Sequence, residues 1–340
     1  MADRRVTLRD VARLAGVSPS AASMALSAHP RISDATKAEV RSAAAQLGYV
    51  PNSAGRALRV QRAGAIALVV PNTGRHVFGH PYFMHLLVGV TDVGNEQDCS
   101  IVVSTNPDEQ HGVAAYERVL HSGAVDGAIV ASAAVTDPNV RRMVDSALPV
   151  VLVGKFPNLP DAVSVGVDDT AAAALITQHL ITDHGRHRIG HISGPLAHQT
   201  ALDRYAGFRQ ALAEFGRPTV QTHVEGDFSE ESGARAALEL LEQDPELEAI
   251  FAANDEMALG AMRALAEHGR RVPDDIAIVG FDDFGVSRLT TPAITTVHVP
   301  AEALGRLAAE RLFDLIQGTT PQAHTTLPTE LVVRDSCGTH

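Results

Sequence analysis

The chain has 340 residues, a formal net charge of -12, 45% hydrophobic residues and two cysteines. That length exceeds one ordinary core and sets an expectation of about two or three domains. Cys99 and Cys337, far apart and without a paired CxxC spacing, argue against a disulfide framework or a thiolate zinc motif. No apolar run approaches the roughly 20 residues that span a bilayer, and no signal-peptide core is evident, so a cytoplasmic protein without a membrane partner is expected.

The charge is unevenly divided. Residues 1–62 carry ten Arg or Lys against four Asp or Glu, a net +6, which leaves -18 for residues 63–340. A basic end on an acidic body confines attraction for phosphate to that end. A merely solvated tail would lack the apolar periodicity found there.

In chain order, Leu8, Val11, Ala12, Leu14 and Ala15 recur at helical spacing, and Gly16 supplies a stop. Ser18 offers an N-cap and Pro19 a first-turn residue for a second helix with Ala22, Ala25 and Leu26 on its apolar face. A third helix is predicted after Ser33, through Val40, Ala44 and Leu47, before Gly48 and Pro51. Two helices joined by the Gly-Val-Ser turn form a helix-turn-helix, and the third completes a small all-α core. Residues 1–50 are therefore expected to be a DNA-binding head and 51–62 a linker, ahead of a separate domain over 63–340.

From residue 63, short apolar runs alternate with helical patterns: 65–70, 100–104, 127–132, 149–154, 162–168, 188–193, 249–255 and 275–283. Continuous apolar strands separated by helices predict parallel sheets covered on both faces. About 280 residues of this pattern suit two α/β lobes with a ligand cleft between them.

His184, His187 and His191 cluster in sequence, but across a helix end, a turn and a strand, unlike a helical metal site; no metal is expected. There is no GxSxG elbow, Walker loop or Rossmann glycine pattern, so no catalytic residue is assigned. Asp168–Asp169 and Asp282–Asp283 fall at strand ends. Since strand neighbours face opposite ways, one of each pair is expected to be a turn or helix cap.

The segments TLRDVARLAGVS, ISDATKAEVRSAAAQLGYVPN, NSAGRALR, NDEMALGAMRAL, IAIVGFDD, PAITTV and LVVRDS together closely resemble the lac/gal repressor family of bacterial transcription regulators, over nearly the full length. The resemblance implies a ligand-responsive repressor, bound as a homodimer to a palindromic double-stranded operator. It implies a body like the periplasmic sugar-binding fold, without a cofactor beyond a small-molecule effector, a sugar or sugar derivative.

For the head, the resemblance assigns DNA contact to Thr7, Ser18, Pro19, Ser20, Ala21 and Ser23, the start of the second helix lying nearest the base edges in the major groove. Ala21 and Met24 replace the Thr and Arg frequent in the family, which removes hydrogen-bond donors. In the hinge it assigns Asn52, Arg56, Leu58 and Arg59, with Leu58 as a wedge between central base pairs. Gly55 lowers intrinsic helicity there by about 1 kcal/mol relative to Ala.

For the effector, the resemblance points to Tyr82, Phe83, Arg204, Phe228, Asn254 and Asp282, with His80, Lys155 and Thr200 as weaker candidates. Arg204, Asn254 and Asp282 can hydrogen-bond ring hydroxyls, and Phe228 offers a flat apolar face. An interlobe salt bridge between Arg204 and Asp282 is the plain structural alternative. Inducer and corepressor action are both compatible with the family. Two other functions compete: a carbohydrate-processing enzyme with a fused basic domain, and an exported carbohydrate receptor, which would need a signal sequence.

Overall fold

The computed structural model describes residues 6–27, 29–49, 62–107, 112–216 and 222–338. They divide into two compact units, one ending at Ala63 and the other beginning at Gly64.

In the first unit, α1 (Leu8–Leu14), α2 (Pro19–Leu26) and α3 (Asp34–Gln46) pack around Val11, Ala12, Ala22, Ala25, Val40, Ala43 and Ala44. Small alanines at the contacts let short helices approach closely. Each start is set locally. Asp10 Oδ2 accepts from the Thr7 backbone N–H at 3.0 Å, Ser18 Oγ from Ala21 N–H at 3.1 Å, and Ser33 Oγ from Thr36 N–H at 3.2 Å.

The second unit has two α/β lobes. Its elements run β1 (Ala65–Thr73), α4 (Gly74–Gly79), α5 (Pro81–Glu96), β2 (Ser100–Asn106), α6 (Ala114–Ser122), β3 (Ala128–Ala131), α7 (Pro138–Val144), β4 (Val150–Val153) and β5 (Ser164–Val167). They continue as α8 (Asp169–Thr182), β6 (Ile189–Ser193), α9 (Gln199–Glu214), β7 (His223–Glu225), α10 (Glu230–Gln243), β8 (Ala249–Ala252), α11 (Asp255–Glu267) and β9 (Ala277–Val279). The last are α12 (Val286–Leu289), β10 (Thr296–His298), α13 (Ala301–Ile316), β11 (His324–Leu327), β12 (Glu330–Val332) and a 3-10 turn, Asp335–Cys337.

Lobe 1 is built on the parallel sheet β11-β5-β4-β3-β1-β2, and lobe 2 on the parallel sheet β7-β6-β8-β9. Antiparallel β10 and β12 form a separate pair. The register Leu68↔Ile129 and Val69↔Val130 shows why β1 and β3 are continuously apolar. Ile66, Leu68 and Val70 face the core under α5 and α13, while Ala65, Ala67 and Val69 face the core under α6 and α7. Both faces of a parallel strand are buried, so no polar alternation survives.

The chain does not finish one lobe before starting the other. It leaves lobe 1 after β5, returns after β10 to add α13 and β11, and crosses again to β12. The returning helix α13 packs directly on α5, where a Cβ at Gly89 would overlap the backbone carbonyl oxygen of Glu302. The strands expected from the sequence are present. Strands β7, β10, β11 and β12, each of three or four residues, were not anticipated.

Candidate functional site

The head exposes Thr7, Ser18, Pro19 and Ser20, while Ala21, Ser23 and Met24 are half-buried. Thr7 donates its hydroxyl to Asp10 Oδ2 at 2.6 Å, and Ser18 accepts from Ala21, so both shape helix starts. Ser20 makes no side-chain hydrogen bond to a described residue and stands outward on the first turn of α2. Asn52, Arg56, Leu58 and Arg59 lie outside the described residues.

In the second unit a cavity of ≈ 290 Å³ separates the lobes. Lobe 1 supplies Tyr82, Phe83, His76, His80 and the loops after β3 and β4; lobe 2 supplies Asp169, Thr200, Arg204, Phe228 and Asp282. The sheet topology accounts for this: the loops following parallel strands gather at one end of each sheet.

Arg204, 5% exposed, is the centre of the polar wall. Its Nε donates to Asp169 Oδ1 at 2.8 Å, Nη1 donates to the Ala253 carbonyl, and Nη2 lies 3.0 Å from Asp282 Oδ1. The last contact is an ion pair, and Asp282 Oδ1 has no aligned hydrogen bond among the described residues. Burial opposes the charge on Arg204, but Asp282 and Asp169 outweigh it and raise its pKa. Burial also pushes Asp169 up to about 6, with Arg204 limiting the rise. Two carboxylates thus share one cation that still faces the cavity.

Arg204 and Asp282 combine both sequence readings: they pair with each other and also line the cavity. Tyr82, Phe83 and Phe228 line it as well, together with His80, Lys155 and Thr200. Phe228 has a left-handed backbone, φ 69°, and its ring occupies space that a Cβ at Gly194 would overlap.

Asn254 is a correction. It is fully buried and does not line the cavity. Its Oδ1 caps α11 by accepting from Met257 N–H at 3.0 Å, and its Nδ2 serves the Phe228 carbonyl at 3.0 Å and Glu256 Oε2 at 2.8 Å. It positions the Phe228 loop and offers no free fork to a ligand. Of the paired carboxylates, Asp168 is the cap, accepting from Ala171 N–H at 3.0 Å. Asp283 is held by Arg334 at 2.6 Å and Arg288 at 3.0 Å.

Sequence reasoning missed Asp169, His76, His198, Gln199, Asp137, Arg141 and Asn158, all of which line the cavity. The sequence grouped His191 with His184 and His187, but the fold sets it apart from them. His191 is fully buried in β6, stacked 5.0 Å from Phe208, and donates Nδ1–H to the Phe251 carbonyl at 2.9 Å. Burial, reinforced by His223, pushes it down to about 3. Burial lifts Glu256 to about 7, with Asp282 adding to the effect, and lowers the cavity-lining His80.

Residues 63–334 match the family model for periplasmic binding proteins and the sugar-binding domain of the LacI family, and residues 7–52 match the model for bacterial regulatory proteins of the lacI family. The chain is 37% identical to the HTH-type transcriptional regulator CelR of Thermobifida fusca, covering 98% of each protein. It is 31% identical to catabolite control protein A of Priestia megaterium, covering 90% of this chain and 91% of that one. Among solved structures, a CelR-cellobiose complex superposes with a TM-score of 0.75 at 34% identity, covering 98% of this chain and 100% of that one. A lac repressor dimer bound to operator and the anti-inducer ONPF gives a TM-score of 0.87 at 27% identity, covering 99% and 100%.

Proposed function

The chain belongs to the LacI family of bacterial transcription regulators, and from that premise we propose that its operator binding is controlled by a carbohydrate held around Arg204. The observation that carries this reading is the Asp169–Arg204–Asp282 cluster on the wall of an interlobe cavity that Phe228 also lines. Carboxylates and a guanidinium recognise vicinal hydroxyls, and an aromatic ring covers the apolar face of a sugar. A disaccharide is the first ligand to test, because the CelR-cellobiose complex resembles this chain over nearly its whole length.

The head reads the major groove with the start of α2, from Ser18 to Ser23, and Thr7 steadies the entry to α1. The hinge residues Asn52, Arg56, Leu58 and Arg59 reach the minor groove, with Leu58 wedging between base pairs. The protein acts as a cytoplasmic homodimer, a reading supported by its likeness to the lac repressor dimer on operator. Ligand in the cavity changes the angle between lobes and therefore the hold on DNA, and DNA must change ligand affinity by the same factor.

The test is fluorescence anisotropy of the full chain with DNA from upstream of its own coding sequence, at several salt concentrations, with and without cellobiose and other small sugars. Saturable preference over random DNA, shifted by one sugar, supports the reading. Binding that is equal on random DNA and simply fades with salt overturns the operator function. Sequence-specific binding that no carbohydrate alters overturns the effector class alone.

A further inference from the structure

Away from the cavity, near the far end of α8 and about 15 Å along it from Asp169, the fold gathers His179, His184 and Cys337. One ligand atom from each lies within 4.8 Å of the others. His179 and Cys337 are buried, and His184 is half-buried and gives the cluster an edge toward solvent. These residues come from the last turns of α8, the Gly185 turn that follows it, and the 3-10 turn near the end of the chain.

We propose that His179, His184 and Cys337 bind a divalent transition-metal ion, zinc by the chemistry of the donors, as a clip between α8 and the returning C-terminal segment. Two imidazoles and a thiolate are a soft nitrogen-sulfur set that suits zinc and excludes magnesium or calcium. The Cys337 Sγ to His179 Nε2 distance is 3.5 Å. With zinc-sulfur and zinc-nitrogen bonds of about 2.3 and 2.0 Å, a tetrahedral ion requires an edge of about 3.5 Å between those atoms.

The surroundings orient the donors. His179 Nδ1 donates to Asp183 Oδ2 at 2.8 Å, which leaves Nε2 with its lone pair directed at Cys337. A carboxylate behind a ligating imidazole is the outer-sphere arrangement that fixes the tautomer and raises ligand basicity. Thr295 Oγ1 lies 3.0 Å from Cys337 Sγ, and donates instead to the Arg334 carbonyl at 3.0 Å. Without metal, Cys337 is a thiol set among Thr295 Oγ1, His179 Nε2 and the Arg334 carbonyl. Metal binding replaces the S–H bond with an S–metal bond and releases that proton to solvent.

The experiment uses chelator-washed full-length protein titrated with Co²⁺, then with Zn²⁺. One Co²⁺ per chain is expected, with visible bands of a tetrahedral ion and a near-ultraviolet thiolate-to-cobalt band, both lost on adding Zn²⁺. Cys337→Ser removes the thiolate band and Cys99→Ser keeps it. Asp183→Asn, whose side chain is 56% exposed and whose loss leaves the ligands in place, weakens uptake by roughly tenfold or more. If Cys337→Ser fails to fold, His184→Gln carries the test through loss of the tetrahedral bands. Absence of stoichiometric uptake, or a spectrum indifferent to Cys337→Ser and to His184→Gln, reduces the cluster to a hydrogen-bonded thiol and overturns the proposal.

Discussion

Arg204 holds its guanidinium carbon 3.7 Å from the centroid of the Phe281 ring, so an apolar floor supports the one cation that the Asp169 and Asp282 carboxylates share. The ring desolvates the cation from one side, and the carboxylates fix its plane.

Replacing Arg204 with Ala leaves both acids buried without their counter-ion, which costs about 3 to 5 kcal/mol. Urea unfolding should show that loss, and calorimetry should show loss of effector binding. The triple variant Asp169→Asn, Arg204→Met, Asp282→Asn should recover most of the stability and none of the binding. Equal stability of the single and triple variants would contradict the network described for the cavity wall.

Glu256 provides a pH test. Its folded pKa, about 7, stands above its ordinary value of 4.5. Stability from its neutral form is complete below pH 4.5 and is lost as pH rises through 7. Glu256→Gln mimics the neutral state, so its stability should equal the parent's below about pH 4 and exceed it at pH 8 by a few kcal/mol at most, roughly 3. Because the nearby His80 shifts oppositely, the difference between the two proteins is the quantity to follow. A difference independent of pH would show that Glu256 ionises normally.

Gly194→Ala should drive the Phe228 ring from its place, since the added methyl overlaps Cζ. Overpacking of this kind costs about 1 to 3 kcal/mol. Effector affinity should fall while operator affinity without effector stays unchanged. Unaltered calorimetric affinity would remove Phe228 from the ligand's contacts.

In the head, two serines separate folding from recognition. Ser33→Ala deletes the N-cap of α3, which accepts from the Thr36 N–H, and should lower stability by about 1 kcal/mol. Ser20→Ala removes no side-chain hydrogen bond among the described residues; melting should be unchanged and operator affinity should weaken by about 1 kcal/mol. The reverse pattern in anisotropy and melting curves would reassign the recognition surface.

Why some of this was legible and some not follows from range. Ser18 and Pro19 announce α2 because capping is a matter of neighbouring residues, and Ile66 to Val70 announce β1 because both faces of that strand are buried. Strand β12 pairs only three residues and carries no comparable run. Arg204, Tyr82, Phe83, Phe228 and Asp282 were found through resemblance to a family, not through periodicity. Asp169 was hidden beside Asp168, because strand alternation says that the two face apart without saying which one is buried. Asn254 shows the opposite error: a polar residue after a strand has the same signature as a helix cap and as a ligand fork. His179 and Cys337, 158 residues apart, meet only in three dimensions.

The pairing of β11 with β5 sets a timetable for synthesis. Ser164 lies opposite His324, so the edge of the lobe 1 sheet stays open until residues 324–327 have left the ribosome. An unpaired strand edge is a template for other chains. A nascent protein that has completed its DNA-reading head is therefore still exposed to aggregation at β5, and truncation before residue 324 should yield a head that folds on a body that precipitates.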